Sequence, residues 1–238
     1  MLSLLFTKNT FGQNLDLSKS IINKSVVFED KNGTVVVEAE HFTSQSMTDI
    51  RKWYISSHKH KPNIKPDPDT VMVTDASGGA YVEVLPDEFV TKEDKAIEGV
   101  NLALIPGSLA VLEYKIYFNE PGRYYVWSRM RSNDDEDNTH HVGINGTWPL
   151  TGKILQFPKL QKKWFWNNKI RNSVPAPEGD GILAFVEVPT VGFHTIMFSM
   201  REDGEEFDKF ILTKDKNYQK PEGAGPAVTL KKGKLPTF

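Results

Sequence analysis

There is no cysteine in the 238 residues, which removes disulfides, thiolate metal sites and thiol nucleophiles together. There is no surplus of positive charge either. Lysine plus arginine is 29 against 31 acidic residues, a formal net charge of −2, and sequence-independent nucleic-acid binding depends on such a surplus. No apolar run approaches the ~20 residues of a membrane-spanning helix. No stretch keeps a helical period, and no internal repeat is present. A serine-nucleophile elbow, a phosphate loop and a dinucleotide fingerprint are also missing. What is present is an ordinary globular mixture, 39% hydrophobic and 25% charged, in a chain long enough to bury a core without staples or metal.

Residues 1–30 read as a leader. Met1-Leu2-Ser3-Leu4-Leu5-Phe6 is apolar but short and follows no basic segment, and Thr10-Phe11-Gly12-Gln13-Asn14 reads either as the cleavage end of a clipped secretory signal or as part of a frayed tail. Residues 31–213 read as one β domain. Residues 214–238, rich in Lys, Gly and Pro, read as a linker or a surface wrap. Thr34–Glu38 is a β-branched run, and Ala80–Leu85 alternates after Ser77-Gly78-Gly79. From Leu109 to Phe118, Ala110, Leu112, Tyr114, Ile116 and Phe118 share one face while Glu113 and Lys115 take the other, the period of a half-buried strand. The turn chemistry of Glu120-Pro121-Gly122 predicts a hairpin into Arg123–Arg131. Further strands are expected over 182–188, 193–200 and 207–213. The pattern predicts an all-β, antiparallel sandwich of jelly-roll type. Three long polar connections interrupt it, at 56–73, 86–106 and 132–141; long loops in compact domains often carry function.

Glu38 and Glu40 lie two residues apart at the end of the first long strand, so on extended chain they share a side. The last long strand carries Glu205, Glu206 and Asp208. Converging carboxylates with backbone carbonyls make a hard-oxygen cage suited to Ca²⁺; each acid alone reads as an exposed strand end. Taken in order, several segments resemble a known domain: Val37-Glu38-Ala39-Glu40, Ser77-Gly78-Gly79-Ala80-Tyr81-Val82, Pro121-Gly122-Arg123-Tyr124-Tyr125-Val126-Trp127-Ser128-Arg129, Gly192-Phe193-His194-Thr195 and Glu206-Phe207-Asp208-Lys209-Phe210. Together they resemble the galactose-binding-like β-sandwich, and within it the carbohydrate-binding modules of families 6 and 35 and the C-terminal module of family 115 glycoside hydrolases. The resemblance spans residues 34–213. It implies non-catalytic binding of a polysaccharide, acidic or sulfated, of algal or plant origin. It implies a structural Ca²⁺ on Glu38, Glu40 and Asp208. It also implies a secreted, periplasmic or cell-surface location beside polysaccharide-degrading enzymes. The three long loops depart from the short modules of these families.

Ligand residues therefore have to be read from the chain itself. Trp164 and Trp166 share a side of Trp164-Phe165-Trp166, between polar flanks. An indole can stack on the C–H face of a sugar while neighbouring polar groups bind hydroxyls, or it can anchor a loop on the core. Trp148 follows the turn Asn145-Gly146, and Trp53 follows Arg51-Lys52; both carry the same two readings. Tyr125, Trp127, Arg129 and Arg131 share one strand face, and an arginine fork suits a carboxylate or a sulfate. Asp134-Asp135-Glu136-Asp137-Asn138-Thr139-His140-His141 reads first as a solvated acidic loop, then as a second cation site or a hydroxyl clamp. The expected ligand set is Trp53, Arg129, Asp137, His140, His141, Trp148, Trp164 and Trp166. The sugar is expected between the acidic loop and the Trp148 and Trp164–Trp166 region, with the Tyr125–Arg131 face as the competing placement. The alternative is an enzyme: a lyase using Tyr125, Arg129, His140 and His141, or a glycosidase using paired carboxylates. A third reading is an adhesion or partner-binding module. The fold hosts all three classes.

Overall fold

The computed structural model describes residues 16–68, 73–134, 136–157, 162–171 and 182–238. The alternating runs become strands. In chain order these are β1 (Val27–Glu29), β2 (Thr34–Glu38), β3 (Ser44–Ser46), β4 (Lys52–Ser57), β5 (Ala80–Leu85), β6 (Val111–Phe118), β7 (Gly122–Arg131), β8 (Thr139–Ile144), β9 (Leu155–Gln156), β10 (Phe165–Asn167), β11 (Phe185–Val188), β12 (Gly192–Met200), β13 (Glu206–Thr213) and β14 (Leu230–Lys232). Two sheets face each other. The first runs β14-β1-β6-β12-β8-β9, with β3 also on β6; the second runs β10-β7-β13-β5-β4, with β11 on β7 and β2 on β13. All pairings are antiparallel except β1 with β6. No helix among the described residues is long and apolar enough to cross a membrane.

The core forms where the inward halves of the alternating strands meet. Leu112, Tyr114, Ile116 and Phe118 of β6 face Val35 and Val37 of β2, Val126 of β7, and Phe207, Phe210 and Leu212 of β13, all fully buried. Phe198 is the hub, with ring centroids 4.8 Å from both Phe207 and Phe210 and 5.8 Å from Tyr114. Edge and tilted contacts at these distances suit the aromatic quadrupole. The expected face of β6 is therefore the buried one.

The expected hairpin between β6 and β7 does not form. β6 pairs with β1, β3 and β12, and β7 pairs with β10, β11 and β13. Both strands bury an apolar face, and two such faces satisfy one another best across the core, so Pro121-Gly122 carries the chain from one sheet to the other. Gly122 sits at φ +120°, a conformation a side chain would strain. The long strands β5 to β8, and again β11 to β13, alternate between sheets in this way, which is the jelly-roll wrapping. The Asn145-Gly146 turn is a tight two-residue connection, with φ of 50° and 78° and mutual backbone hydrogen bonds between Ile144 and Thr147.

Both flanking segments lie against the sandwich. Leu17, Ile21, Ile22 and Val26 pack on the core, and the Ile55 amide donates to Leu17 O at 2.8 Å, so the described part of the expected leader, from residue 16, belongs to the domain. Residues 214–238 run as a wrap. Tyr218 packs on Trp127 and Trp166, the Val36 amide donates to Thr229 Oγ1, β14 pairs with β1, and Leu235 and Phe238 pack on the core. Composition alone allowed a linker; the apolar residues spaced along it select the wrap.

Candidate functional site

The outer face of the second sheet carries a buried ionic network. β7 projects Arg129 and Arg131 outward, β13 projects Glu206, Asp208 and Lys209, and the end of β2 brings Glu38. A register shift between Phe207 and Lys209 lets Asp208 and Lys209 both reach this side. Arg129 Nη1 donates to Asp208 Oδ2 at 2.6 Å, and its guanidinium also donates to Asp75 O at 3.1 Å. Arg131 Nη1 donates to Glu206 Oε2 at 2.8 Å. Lys209 Nζ lies 3.0 Å from Glu38 Oε1. Ser77 is the hinge of the cluster: its amide donates to Asp208 Oδ1 at 2.7 Å and its hydroxyl to Glu38 Oε1 at 2.9 Å.

Glu38 and Glu40 do not share a strand face, because Ala39–His41 forms a 3₁₀ turn. The turn still brings Glu40 to the cluster. Glu40 is fully buried, and neither of its carboxylate oxygens accepts a hydrogen bond from another residue. Its carboxyl is held well above the usual range, first by burial and then by the charges of Glu38 and Asp208. Asp208 is pushed up to about 7 by burial, against the pull of Arg129. Three carboxylates thus meet two cations, Arg129 and Lys209. Gly78 (φ +66°) closes the loop over them, and a Cβ there would lie 3.2 Å from Glu40 Oε1. The donor set is hard oxygen, as Ca²⁺ prefers, and the orphaned oxygens of Glu40 and Glu38 Oε2 are groups that such an ion would satisfy. Among the described residues no three carboxylates or imidazoles stand at metal-ligand spacing; Arg129 and Lys209 hold Asp208 and Glu38.

β10 is the edge strand beside β7, next to this network. Its register with β7 sets Trp166 beside Arg129 and brings Trp164 toward Arg131. Trp164 is half-buried. Its ring meets Tyr81 edge-on at 5.2 Å, and the Arg129 guanidinium lies over it at 5.5 Å. Arg131, Lys162, Lys163 and Asp75 line a small cleft of about 40 Å³ beside it. Trp164, just before β10, lies over Arg129 of the Tyr125–Arg131 face, so one of the expected indoles joins the competing placement. Tyr81 and Ser77, absent from the expected set, are part of the site. Their signal was the Ser77–Val82 segment, whose alternation read as core.

Other expected ligand residues turn inward or away. Trp166 is buried against Trp127, Val36 and Ile211, and its Nε1–H donates to Gly223 O at 3.0 Å. Trp53 lies in the core with its Nε1–H on Ala110 O at 2.7 Å. Trp148 is half-buried on the other side of the molecule: it lies on Gly107 and Gly143, and a Cβ at Gly143 would come within 2.7 Å of its ring. Gly143 follows the inward Val142 in β8 of the first sheet, so Trp148 and Trp164 sit on opposite faces of the sandwich. The expected sugar position between them does not exist. In the acidic stretch Asp135 lies outside the described residues, and the solvated reading fails at Asp137. Asp137 is fully buried and accepts from the Ser132 hydroxyl at 2.6 Å and the Asn133 amide at 2.5 Å, and Glu202 holds the Asn138 amide and the Thr139 hydroxyl.

Both histidines are sealed. His141 Nε2 lies 3.1 Å from Ala103 O, and its Nδ1 is 3.1 Å from the Ile154 amide that donates to it. Burial holds it down at about 4. His140 Nδ1 is 2.6 Å from Glu205 Oε1 and its Nε2 is 3.1 Å from Ser128 Oγ. This is the order of a serine–histidine–carboxylate relay, but His140, Ser128 and Glu205 are all fully buried, and Phe157, Phe198 and Phe207 surround the ring. A substrate has no route to it. The lyase set Tyr125, Arg129, His140 and His141 therefore does not line an open cleft, since Arg129 and Tyr125 are also covered.

No family model matches the chain. A curated relative, the uncharacterized protein P23 of Formosa agariphila, is 45% identical over 228 residues, which is 95% of this chain and 54% of that protein. The chain thus spans about half the length of the curated relative it matches. Among solved structures, a family 35 carbohydrate-binding module from Clostridium thermocellum is 12% identical, covering 75% of this chain and 96% of that one, with a TM-score of 0.41. The C-terminal family 6 module of a marine laminarinase from Zobellia galactanivorans is 13% identical, covering 76% and 99%, with a TM-score of 0.38. These likenesses stop at the sandwich, and nothing about the ligand of this chain follows from them.

Proposed function

We propose that this chain is a non-catalytic carbohydrate-binding domain, in which a sugar ring stacks on Trp164 while carboxylate or sulfate substituents meet Arg131, Lys162 and Lys163. The observation that carries the reading is Trp164 itself: a half-buried indole, braced by Tyr81 and Arg129, beside a cleft with three basic side chains and one acid. The cleft is too small to swallow a sugar, so the ring lies on the indole and only a substituent enters. The domain binds without cutting, because His140 and His141 lie inside the core and Tyr125 and Arg129 are covered. A polysaccharide ligand goes with a location outside the cytoplasm and with work beside enzymes that degrade the same polymer.

A structural Ca²⁺ belongs to the same reading. Glu40, Glu38 and Asp208 would hold it, and it would balance the third carboxylate beneath the site. The test is affinity electrophoresis against algal and plant polysaccharides, with a product assay. The parent binds and releases no reducing ends or unsaturated uronates. Trp164→Ala weakens binding several-fold, as expected for losing a stacking contact of about 0.5–1.5 kcal/mol, and keeps the fold. Turnover by the parent, or unchanged binding by Trp164→Ala, overturns the proposal.

A further inference from the structure

We infer a second saccharide site, selective for polyanionic sugar chains, in the groove between residues 18–27 and the outer face of the first sheet. Its ligand class rests on the carbohydrate reading above; its location does not. A cavity of about 500 Å³ is lined by Ser20, Lys24, Val26, Thr43, Lys115 and Phe193, among others. A second, of about 330 Å³, shares Ser20 and Thr43 with it and continues past Gln45 and Thr48 to Lys52. Both lie in the size range of ligand pockets. They meet end to end, which suits a chain and not a single ring.

The chemistry of the walls is one-sided. Lys24 and Lys115 line the first cavity and Lys19 and Lys52 the second, and no carboxylate lines either. Of the four lysines only Lys19 has a described ion pair, with Asp16 at 3.2 Å. Lysine ammoniums are compact point charges that attract carboxylate and sulfate. The remaining lining is hydroxyl- and amide-rich, from Ser18, Ser20, Thr43, Ser44 and Thr48 to Gln45, and such groups recognise sugar hydroxyls. The apolar element is Phe193, which is 51% exposed. It follows the turn into β12 and points away from the core residues Ile196 and Phe198 that share the strand. Tyr117 holds it edge-on at 5.2 Å, and Lys115 Nζ lies 4.8 Å from its ring centre. A uronate can set its C–H face by Phe193 and its carboxylate on Lys115.

The far wall is fixed before any ligand arrives. Ser20 Oγ donates to Phe42 O at 2.6 Å, Leu17 O accepts from the Ile55 amide, and Ile22 and Val26 pack on the core. A preformed wall lowers the ordering cost of binding. The groove runs from Lys115 and Phe193 on the first sheet to Lys52 at the edge of the second, and Trp164 lines neither cavity, so one chain can hold two polysaccharide segments at once and gain avidity on a polymer without further contacts.

The experiment is calorimetric titration of the full chain with oligogalacturonate, oligoalginate and sulfated galactan oligosaccharides, and with the methyl ester of the first. The parent takes up two oligosaccharides per chain. Trp164→Ala keeps one, and in that background Lys115→Gln or Phe193→Ala weakens the remaining site by about five- to tenfold, a change of roughly 1 kcal/mol. Binding there falls with added salt, and the methyl ester binds less. Lys115→Gln leaves the core untouched and guards against a folding defect in Phe193→Ala. One site in the parent that Trp164→Ala abolishes overturns the groove and leaves the first proposal standing. Residual binding in Trp164→Ala that neither groove variant changes, or that the ester matches, overturns the groove or its charge selectivity. Binding of none of the sugars overturns both proposals. If Phe193→Ala changes the sedimentation coefficient but not sugar binding, the groove takes a second copy of the chain and the proposal falls.

Discussion

Two of the polar clusters buried in this protein are built on opposite terms. The relay of Ser128, His140 and Glu205 sits inside the apolar core, where one proton serves the histidine and the carboxylate together. The cluster of Glu38, Glu40, Asp208, Arg129 and Lys209 sits outside the second sheet, under Ser77 and Gly78, with one carboxylate more than it has cations. The first is closed and its one proton suffices. With all three carboxylates ionised the second is one positive charge short of balance, and a proton on Glu40 or an ion closes it. The fraction of surface buried does not separate them, since both are almost fully covered. The charge count does, with both oxygens of Glu40 and Glu38 Oε2 unpartnered against the single Oε2 of Glu205, and this is why the outer cluster, and not the relay, is where an ion is to be sought.

The sharpest way to break the comparison is to remove half of the relay. His140→Ala leaves the Glu205 carboxyl buried without its partner and a cavity among Phe157, Phe198 and Phe207, and about 3–5 kcal/mol of stability should go with it, read from urea unfolding. Replacing both His140 and Glu205 with leucine should cost much less, because no unpartnered polar group and little empty space are left. A single-variant loss below about 1 kcal/mol would mean that the relay is not sealed as described.

The outer cluster should respond to metal instead. Calcium at a hundred times its dissociation constant should stabilise the domain by about 2.7 kcal/mol, and a chelator should lower the melting temperature without unfolding the chain. Glu40→Gln removes the excess charge and should abolish that response while the fold persists. A melting curve that ignores both calcium and chelator, with no metal by elemental analysis, would remove the ion from the account.

The smallest effect is a pH profile, and it sharpens the contrast by counting protons. Burial holds His140 down at about 3 and holds Glu205 well above the usual carboxylate range. The folded pair therefore keeps one proton from about pH 3 until Glu205 ionises. The unfolded pair holds two protons below about 4.3, one between 4.3 and 6.5, and none above. Stability from the pair should thus be flat from about pH 4.3 to 6.5. It should fall by about 1.4 kcal/mol per unit as pH rises beyond 6.5, and by as much per unit as pH drops from 4.3 toward 3. The difference in unfolding free energy between the parent and the double leucine variant, measured across pH at saturating calcium, isolates this term. A steady rise from about pH 4.3 to 6.5 in that difference would mean that the histidine titrates alone.

Much of the fold could be read from local pattern. β2, β5, β6, β7, β12 and β13 fall where alternation put them, and the inward faces of β6 and β7 carry the expected residues. The turn at Asn145-Gly146 followed from two residues that tolerate positive φ. Of the site, the convergence of Glu38, Glu40 and Asp208 was expected from the resemblance, and the shared face of Arg129 and Arg131 from spacing. The aromatic residues were misjudged for one reason. A tryptophan between polar neighbours has the same sequence signature whether its indole meets solvent, like part of Trp164, or a covering segment, like Trp166 under residues 223–225.

By itself the sequence determined which residues alternate, which turns are tight and which face of each strand is apolar, because those properties depend on neighbours two to four positions away. The tertiary structure decided what covers the outer faces. It sent β6 and β7 to different sheets, set β10 at the edge beside β7, laid Trp164 over Arg129 and the tail from 214 onward over Trp127, and drew Asp137 and the two histidines inside. The reason is that a polar group is excluded from the interior only while it lacks partners. Ser132 and Asn133 supply partners for Asp137, Glu205 supplies one for His140, and Glu202 supplies one for Thr139. Some of those partners lie more than sixty positions away, beyond the reach of any local pattern.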